Sequence, residues 1–249
     1  MKIIASEKFK SRLILFSMLI FIFTGITVGF DYVSDKNDVN DVFDFSEDIT
    51  VIIDPGHGGI DGGTSAKDGT VEKDINLSIA LKLNDILKSK GFDTVMTRED
   101  DRSIHDENAD TIRKQKVSDI KNRLSVIENT PNCLFVSIHQ NYFEDPKYFG
   151  TQVFYSKNNP ESAVLADSVR RSVIKNLQPD NKREIKQSGK EIYLLYHSSA
   201  PSIMVECGFI SNAIEEKLLS TEEYQIEIVR AITDGVSQYL FKNKGEIAV

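Results

Sequence analysis

From residue 50 onward the sequence alternates short apolar runs with longer amphipathic segments, and this alternation restricts the fold more than any other feature. The runs with the composition of strands are residues 50–54, 92–97, 133–139, 150–156, 192–197 and 201–206. The segments with helical spacing are residues 74–91, 117–127, 159–178, 211–220 and 221–241. Strands that alternate with helices predict an α/β fold, here a single domain with a mainly parallel, mixed sheet of about six strands flanked by helices.

Local signals indicate where two of the helices begin. Asp74 is the predicted N-cap of the first long helix, and Gly91 is suited to end it. Ser220 and Glu223 predict a capping box for the last helix.

The N-terminus differs from the rest of the chain. Basic residues precede an uncharged apolar run at residues 13–30, which as a helix would be roughly 27 Å long, close to the ~30 Å of a hydrocarbon core. Residues 1–30 therefore predict a signal anchor or a signal peptide that reaches the membrane, and the lack of a clear cleavage site favours the anchor. Residues 31–48 predict an acidic tether, and the domain at 49–243 is then exported to the extracytoplasmic face, either membrane-anchored or secreted.

Polar side chains stand where predicted strands end. His57 lies in a glycine-rich loop after the first strand, His139 ends the third, and Glu206 ends the sixth. Taken singly, His57 also fits a surface turn and His139 a core residue, whereas an acid at the end of a buried strand is costly unless it is paired or metal-bound. Because ligands bind beyond the carboxyl ends of parallel strands, we expect these side chains to share one rim.

The loop that opens at His57 closes at Glu72, which brings a second carboxylate to the same rim. Taken alone, Glu72 also fits a solvated acid ahead of the helix. Two imidazoles with one carboxylate are a known ligand type for catalytic zinc, and a further carboxylate can take a proton from the activated water.

Other features exclude several classes of function. A net charge of −8 disfavours a nucleic-acid partner. The glycine-rich loop has neither a Gly-Lys-Ser/Thr sequence nor GxGxxG spacing, which argues against nucleotide binding.

Cys133 and Cys207 are predicted at opposite ends of the sheet and therefore free. His105 and His197 are predicted to lie outside the site.

Six stretches together carry a family resemblance: IIDPGHGGIDGG, VEKDINL, MTREDD, SIHQN, GTQVFYS and VECGFISN. In this order they resemble the zinc-dependent N-acetylmuramoyl-L-alanine amidases of the AmiC/CwlD type. The resemblance implies one zinc ion held by His57, Glu72 and His139, with Glu206 as the catalytic carboxylate. It also implies hydrolysis of the amide between the lactyl group of N-acetylmuramic acid and L-alanine in peptidoglycan.

The short chain, the apolar N-terminus and the stretch NKREIK look most like CwlD spore-cortex amidases, which implies a role in muramic-δ-lactam formation. A cell-separation autolysin or another zinc peptidoglycan peptidase are the alternatives, and a non-catalytic binding protein is a further one. Because no cell-wall-binding repeat is visible, either the tether or a protein partner is expected to supply targeting, and such a partner is also a candidate activator.

Overall fold

The computed structural model describes residues 49–243, so the predicted anchor (1–30) and tether (31–48) lie outside the described residues. Over that range the chain forms six strands and six helices. In chain order these are β1 (Thr50–Pro55), α1 (Glu72–Ser89), β2 (Asp93–Met96), α2 (Ile112–Glu128), β3 (Cys133–Asn141), β4 (Gln152–Tyr155), α3 (Glu161–Asn176), β5 (Lys186–Gln187), α4 (Tyr193–His197), β6 (Ser202–Phe209), α5 (Ala213–Leu219) and α6 (Glu222–Asn243). In the part of the chain that the structure describes, every helix is too short or too polar to span a bilayer.

The strands form one sheet in the order β2-β1-β3-β6-β4-β5. Strands β2, β1, β3 and β6 run parallel to one another, whereas β4 is antiparallel to β6 and pairs in parallel with β5. The predicted α/β class with a mainly parallel, mixed sheet is therefore confirmed. Because β1, β3 and β6 are adjacent and parallel, their carboxyl ends meet at one edge.

Alternate side chains of the central strands face two helical layers. Val136 and Val205 belong to the larger core, which is completed by α1, α3 and α6. Phe135 and Met204 belong to a smaller core with α2 and α4. Since side chains alternate along a strand, the residues at even steps from Phe135 and Met204 also face α2 and α4, and this places His139 and Glu206 on that side.

The prediction of a strand at residues 192–197 is wrong, because Tyr193–His197 forms the short helix α4. A short apolar run does not by itself distinguish a buried strand from one buried turn of helix, and here Leu194 and Leu195 are buried beneath that turn. The sixth strand is instead the two-residue β5, Lys186–Gln187, which has no apolar signal and pairs only with β4.

Two helix starts also differ from the predicted ones. Helix α1 begins at Glu72 after the extended residue Val71, so Asp74 lies within its first turn. At α6 the Thr221 hydroxyl, rather than that of Ser220, accepts from a main-chain amide of the first turn, at 3.4 Å. The consequence for the site is that Glu72 belongs to the first turn of a helix rather than to the loop before it.

Candidate metal centre

The four predicted site residues converge at the edge formed by the carboxyl ends of β1, β3 and β6. His57 lies just beyond β1, while His139 and Glu206 lie within β3 and β6, in register with each other across the two strands. Glu72 reaches the same point from the first turn of α1. The predicted proximity of residues far apart in sequence is therefore observed.

Three of these side chains form a compact donor set. Glu72 Oε1 lies 3.3 Å from His57 Nε2 and 3.0 Å from His139 Nδ1. One donor atom from each residue lies within 4.8 Å of the others, a grouping able to hold a metal ion. The two imidazole rings meet edge to face, with centroids 4.9 Å apart.

This donor set fits zinc in both chemistry and spacing. Zinc bonds to nitrogen and oxygen are about 2.0–2.2 Å long, so tetrahedral donors stand about 3.3 Å apart. The two distances to Glu72 lie close to that separation. Two histidines and one glutamate also match the ligand type of catalytic zinc sites, which keep a fourth position open.

Glycines in the loop between β1 and α1 make room for the three donor side chains. A Cβ atom on Gly56 would overlap the His139 imidazole, and one on Gly63 would lie 2.7 Å from His57 Cδ2. Gly63 also has a φ of 70°, which favours glycine. The loop is thus poor in side chains because the histidines and the glutamate fill the space that those side chains would need.

A second set of contacts orients the donors, and sequence reasoning missed two of its members. Asp61 Oδ2 lies 3.0 Å from His57 Nδ1, and Lys116 Nζ donates to Asp61 Oδ1 at 2.7 Å. The main-chain amides of Thr64 and Gln140 donate to Glu72 at 2.9 and 3.2 Å. A carboxylate that binds the second nitrogen of a ligating histidine fixes the orientation of its ring. Asp61 stands four residues after His57, but Lys116 comes from α2 and has no local signal.

The carboxylates around His57 favour positive charge at this position. Burial by itself would lower the pKa of His57, but hydrogen bonds to Asp61 and Glu72 raise it to about 9. Burial would raise the pKa of Glu72, yet His139 and His57 hold it well below its ordinary value. An ionised Glu72 beside two imidazoles suits a divalent cation.

Glu206 has a different environment from Glu72. Burial raises its pKa to about 7, with the charge of Glu72 adding to the rise and His139 and His57 opposing it. Its buried Oε2 has no hydrogen-bond partner within the described range 49–243. The pKa values of these two neighbouring carboxyl groups are therefore pushed in opposite directions.

The remaining histidines and cysteines are not part of this centre. His105 bonds to the Ser103 hydroxyl, and the exposed His197 packs against Tyr193. Cys133 and Cys207 are free and buried, as predicted, and burial raises the pKa of the Cys133 thiol to about 11. Cys207 belongs to the larger core, on the opposite face of β6 from Glu206.

A cavity of about 270 Å³ opens beside the donor set on the face of α2 and α4. Its lining combines the two histidines of the donor set with Lys116 from α2 and with Glu191 and Tyr193 at α4. The helix that was predicted as a strand therefore forms one wall of the space next to the donors.

Comparison with known proteins agrees with this arrangement. Residues 51–238 match the N-acetylmuramoyl-L-alanine amidase family. The germination-specific N-acetylmuramoyl-L-alanine amidase of Bacillus subtilis is 32% identical over 196 residues, which cover 79% of this chain and 81% of that protein.

Solved structures show the same likeness. The CwlD amidase from Clostridioides difficile, solved in complex with the GerS lipoprotein, is 44% identical with a TM-score of 0.74, over 77% of this chain and 98% of that one. The amidase AmiC2 of Nostoc punctiforme is 31% identical with a TM-score of 0.66, over 77% of this chain and 97% of that one. The chain belongs to the N-acetylmuramoyl-L-alanine amidase family and is a hydrolase that acts on peptidoglycan.

Proposed function

We propose that this amidase works as a zinc enzyme in which His57, Glu72 and His139 hold the ion and Glu206 is the catalytic carboxylate. The bond it cleaves joins the lactyl group of N-acetylmuramic acid to L-alanine of the stem peptide. The observation that carries the proposal is the convergence of three donor atoms within 4.8 Å, with Glu206 in register beside His139 on the next strand.

Zinc, when bound, would polarise the scissile carbonyl and make a water molecule more acidic. Glu206 accepts a proton from the attacking water at Oε2, the buried oxygen that has no partner of its own in the described part of the chain. A carboxyl group with a pKa of about 7 both accepts and returns a proton near neutral pH. The returned proton goes to the nitrogen of L-alanine as the amide bond breaks.

Asp61 supports this chemistry without touching the reacting atoms. Its bond to His57 Nδ1 leaves Nε2 facing Glu72. Lys116 holds Asp61 in place through the other carboxylate oxygen, so the orientation of His57 depends on a short chain of charged contacts that starts at α2.

We further propose a role in the spore cortex, where removal of stem peptides precedes formation of muramic-δ-lactam. The support is the 44% identity to the CwlD amidase of Clostridioides difficile and the germination-specific name of the Bacillus subtilis relative. Because that CwlD amidase was solved with the GerS lipoprotein, we also propose a protein partner for this chain. Residues 1–30 would anchor it to the membrane, with the domain outside the cytoplasm.

Mass spectrometry of digested peptidoglycan tests the proposed reaction. The purified protein loaded with zinc should release free stem peptides that begin with L-alanine and leave glycan strands without peptides. Shortened peptides that remain attached to the sugar would instead identify a peptidase and contradict the proposal. For the cortex role, loss of the gene should remove muramic-δ-lactam from spores, and normal amounts of that lactam would refute it.

A further inference from the structure

Two arginine side chains are among the largest that the fold buries completely. Arg98 is 1% exposed and Arg123 is 2% exposed. Both guanidinium groups contact the backbone between β1 and His57. Burial of a charged group costs free energy unless its partners compensate for the lost water, so those partners indicate what each arginine does.

Arg123 from α2 is held as part of an ion network. Its Nη1 donates to Asp54 Oδ1 at 2.6 Å and to the Pro55 carbonyl at 2.9 Å, and its Nε donates to Asp119 at 2.7 Å. Its Nη2 donates to the carbonyl of His57 at 2.6 Å. The two carboxylates compensate its charge, while the carbonyl bonds attach it to the loop.

Arg98, which follows β2, has a different set of partners. Nε donates to the Pro55 carbonyl at 3.0 Å, and Nη1 donates to the Asp100 carbonyl at 2.9 Å. Nη2 donates to two carbonyls, those of Gly56 at 3.1 Å and Lys73 at 2.9 Å. All these acceptors are main-chain oxygens, so the guanidinium holds backbone rather than a counter-ion.

The two carbonyls on Nη2 belong to different segments of the site. Gly56 directly precedes His57, and Lys73 directly follows Glu72. A single nitrogen of Arg98 thus links the segments that carry two of the three proposed zinc ligands. Two other side-chain bonds join the same segments: Asn76 Nδ2 donates to the Gly56 carbonyl at 3.2 Å, and Lys73 Nζ donates to the Gly59 carbonyl at 2.8 Å. Arg98 differs from both because it binds the backbone of each segment, and the glycine-rich loop between them has high conformational entropy to lose when a metal orders it.

Local backbone geometry indicates that this part of the loop needs support. His57 has a φ of 63°, a left-handed conformation that is unfavourable for a residue other than glycine. The next residue, Gly58, leaves room for the Arg98 side chain, because a Cβ there would lie 2.9 Å from Arg98 Cδ and Nε. The loop and the arginine are therefore fitted to each other.

We propose that Arg98 is a positioning residue that holds the backbones of His57 and Glu72 at ligating separation before the metal binds. The inference rests on the proposed zinc site. Its physical content is preorganisation: the planar guanidinium donates to four carbonyls through three nitrogens in fixed directions, which a lysine ammonium does not reproduce. Folding orders the loop, and zinc binding then needs little further ordering.

The test compares the zinc affinity of the full chain with that of two variants by competition with a chromophoric chelator, well below the unfolding temperature. Arg98→Lys keeps the charge and should weaken zinc binding roughly ten- to hundredfold, the usual effect of losing a contact that orients metal ligands. Arg170→Lys is the matched control, because Arg170 bonds to Asp167 within α3, and its zinc affinity should equal that of the wild type. The melting temperature of each metal-free protein is measured in parallel.

Hydrogen exchange on the metal-free wild type keeps the proposal testable even if Arg98→Lys does not fold. The amides of Gly56, Glu72 and Lys73 donate to carbonyls within the fold, so they should already be protected before zinc is added. If these three amides gain protection only after zinc is added, the proposal is overturned.

The outcomes separate this inference from the proposed function. If the wild type binds zinc and Arg98→Lys binds it equally well, with or without a lower melting temperature, Arg98 is merely structural and the inference is wrong while the zinc site stands. A wild type that binds no zinc overturns both.

Discussion

Asp54 offers a direct test of how buried polar contacts at the end of β1 support the site. It is 1% exposed and lies on the side of β1 that faces α2. Its carboxylate accepts from Arg123 and Thr97 at 2.6 Å each and from Ser137 at 2.7 Å. Asp54→Asn keeps the shape of the side chain, removes the charge and turns an amide nitrogen toward one of these donors.

The expected loss of stability follows from these contacts. Removing one partner of a buried ion pair destabilises a fold by about 3–5 kcal/mol. The lower end applies here, since Arg123 keeps Asp119 at 2.7 Å as a second counter-ion. We therefore expect the free energy of unfolding to fall by about 3 kcal/mol, which for a domain of this size lowers the melting temperature by about 6–12 °C.

Urea unfolding followed by circular dichroism measures the change, with Asp167→Asn as the control. Asp167 pairs with Arg170 and Arg171 on the outer part of α3, and its loss should cost less than about 1 kcal/mol. A loss below about 1 kcal/mol for Asp54→Asn would refute the reasoning, because the buried pair would then be worth no more than a surface pair.

The difference in stability between the wild type and Asp54→Asn should also depend on pH, and the pKa of Asp54 gives the sign of that dependence. Burial would raise the pKa of Asp54, but Arg123, Ser137 and Thr97 hold it below its ordinary value of 3.8. An acid whose pKa is lower in the folded state adds stability above its unfolded pKa and loses it as the pH falls. The stability difference between wild type and Asp54→Asn should stay constant down to about pH 4 and shrink below it. A difference that persists unchanged at pH 2 would contradict the assignment.

Three further predictions concern the metal centre itself. Glu206→Gln should keep one zinc per chain and lose about a hundredfold or more of the turnover, as measured by metal analysis and stem-peptide release, and near-normal turnover would reject Glu206 as the proton carrier. His139→Ala should abolish stoichiometric zinc while His105→Ala retains it, so equal zinc in both variants would remove His139 from the ligand set. Gly56→Ala should weaken zinc binding by tenfold or more, because its Cβ overlaps the His139 ring, whereas Gly62→Ala, whose Cβ would lie 3.2 Å from a Val71 methyl, should bind zinc normally. Equal affinities in these two glycine variants would show that the ring has room to move.

Much of the architecture could be predicted because it depends on local pattern. The largely apolar stretch of β3 and the apolar stripe of α1 specify a buried strand and a one-sided helix wherever they occur in a chain. Strand and helix alternation then implies a parallel sheet, and a parallel sheet puts the ends of β1, β3 and β6 on one edge. His57, His139 and Glu206 were therefore predictable as neighbours from their positions at strand ends alone.

The short elements could not be predicted in the same way. The run at residues 192–197 has too few residues for periodicity to distinguish helix from strand, and packing of Leu194 and Leu195 decides for the helix α4. Strand β5 consists of two exposed polar residues, so only pairing with β4 defines it.

Residue type and spacing alone specify the order of the long strands and helices and the chemistry available at the strand ends. Which distant groups support that chemistry depends on how the elements pack against one another. Arg98 bonds to a loop 42 positions away, Arg123 bonds to a carbonyl 66 positions away, and Lys116 meets Asp61 across 55 positions. Such contacts have no period and no local motif, since they exist only after two elements have packed together, and the backbone that positions His57 and Glu72 depends on them.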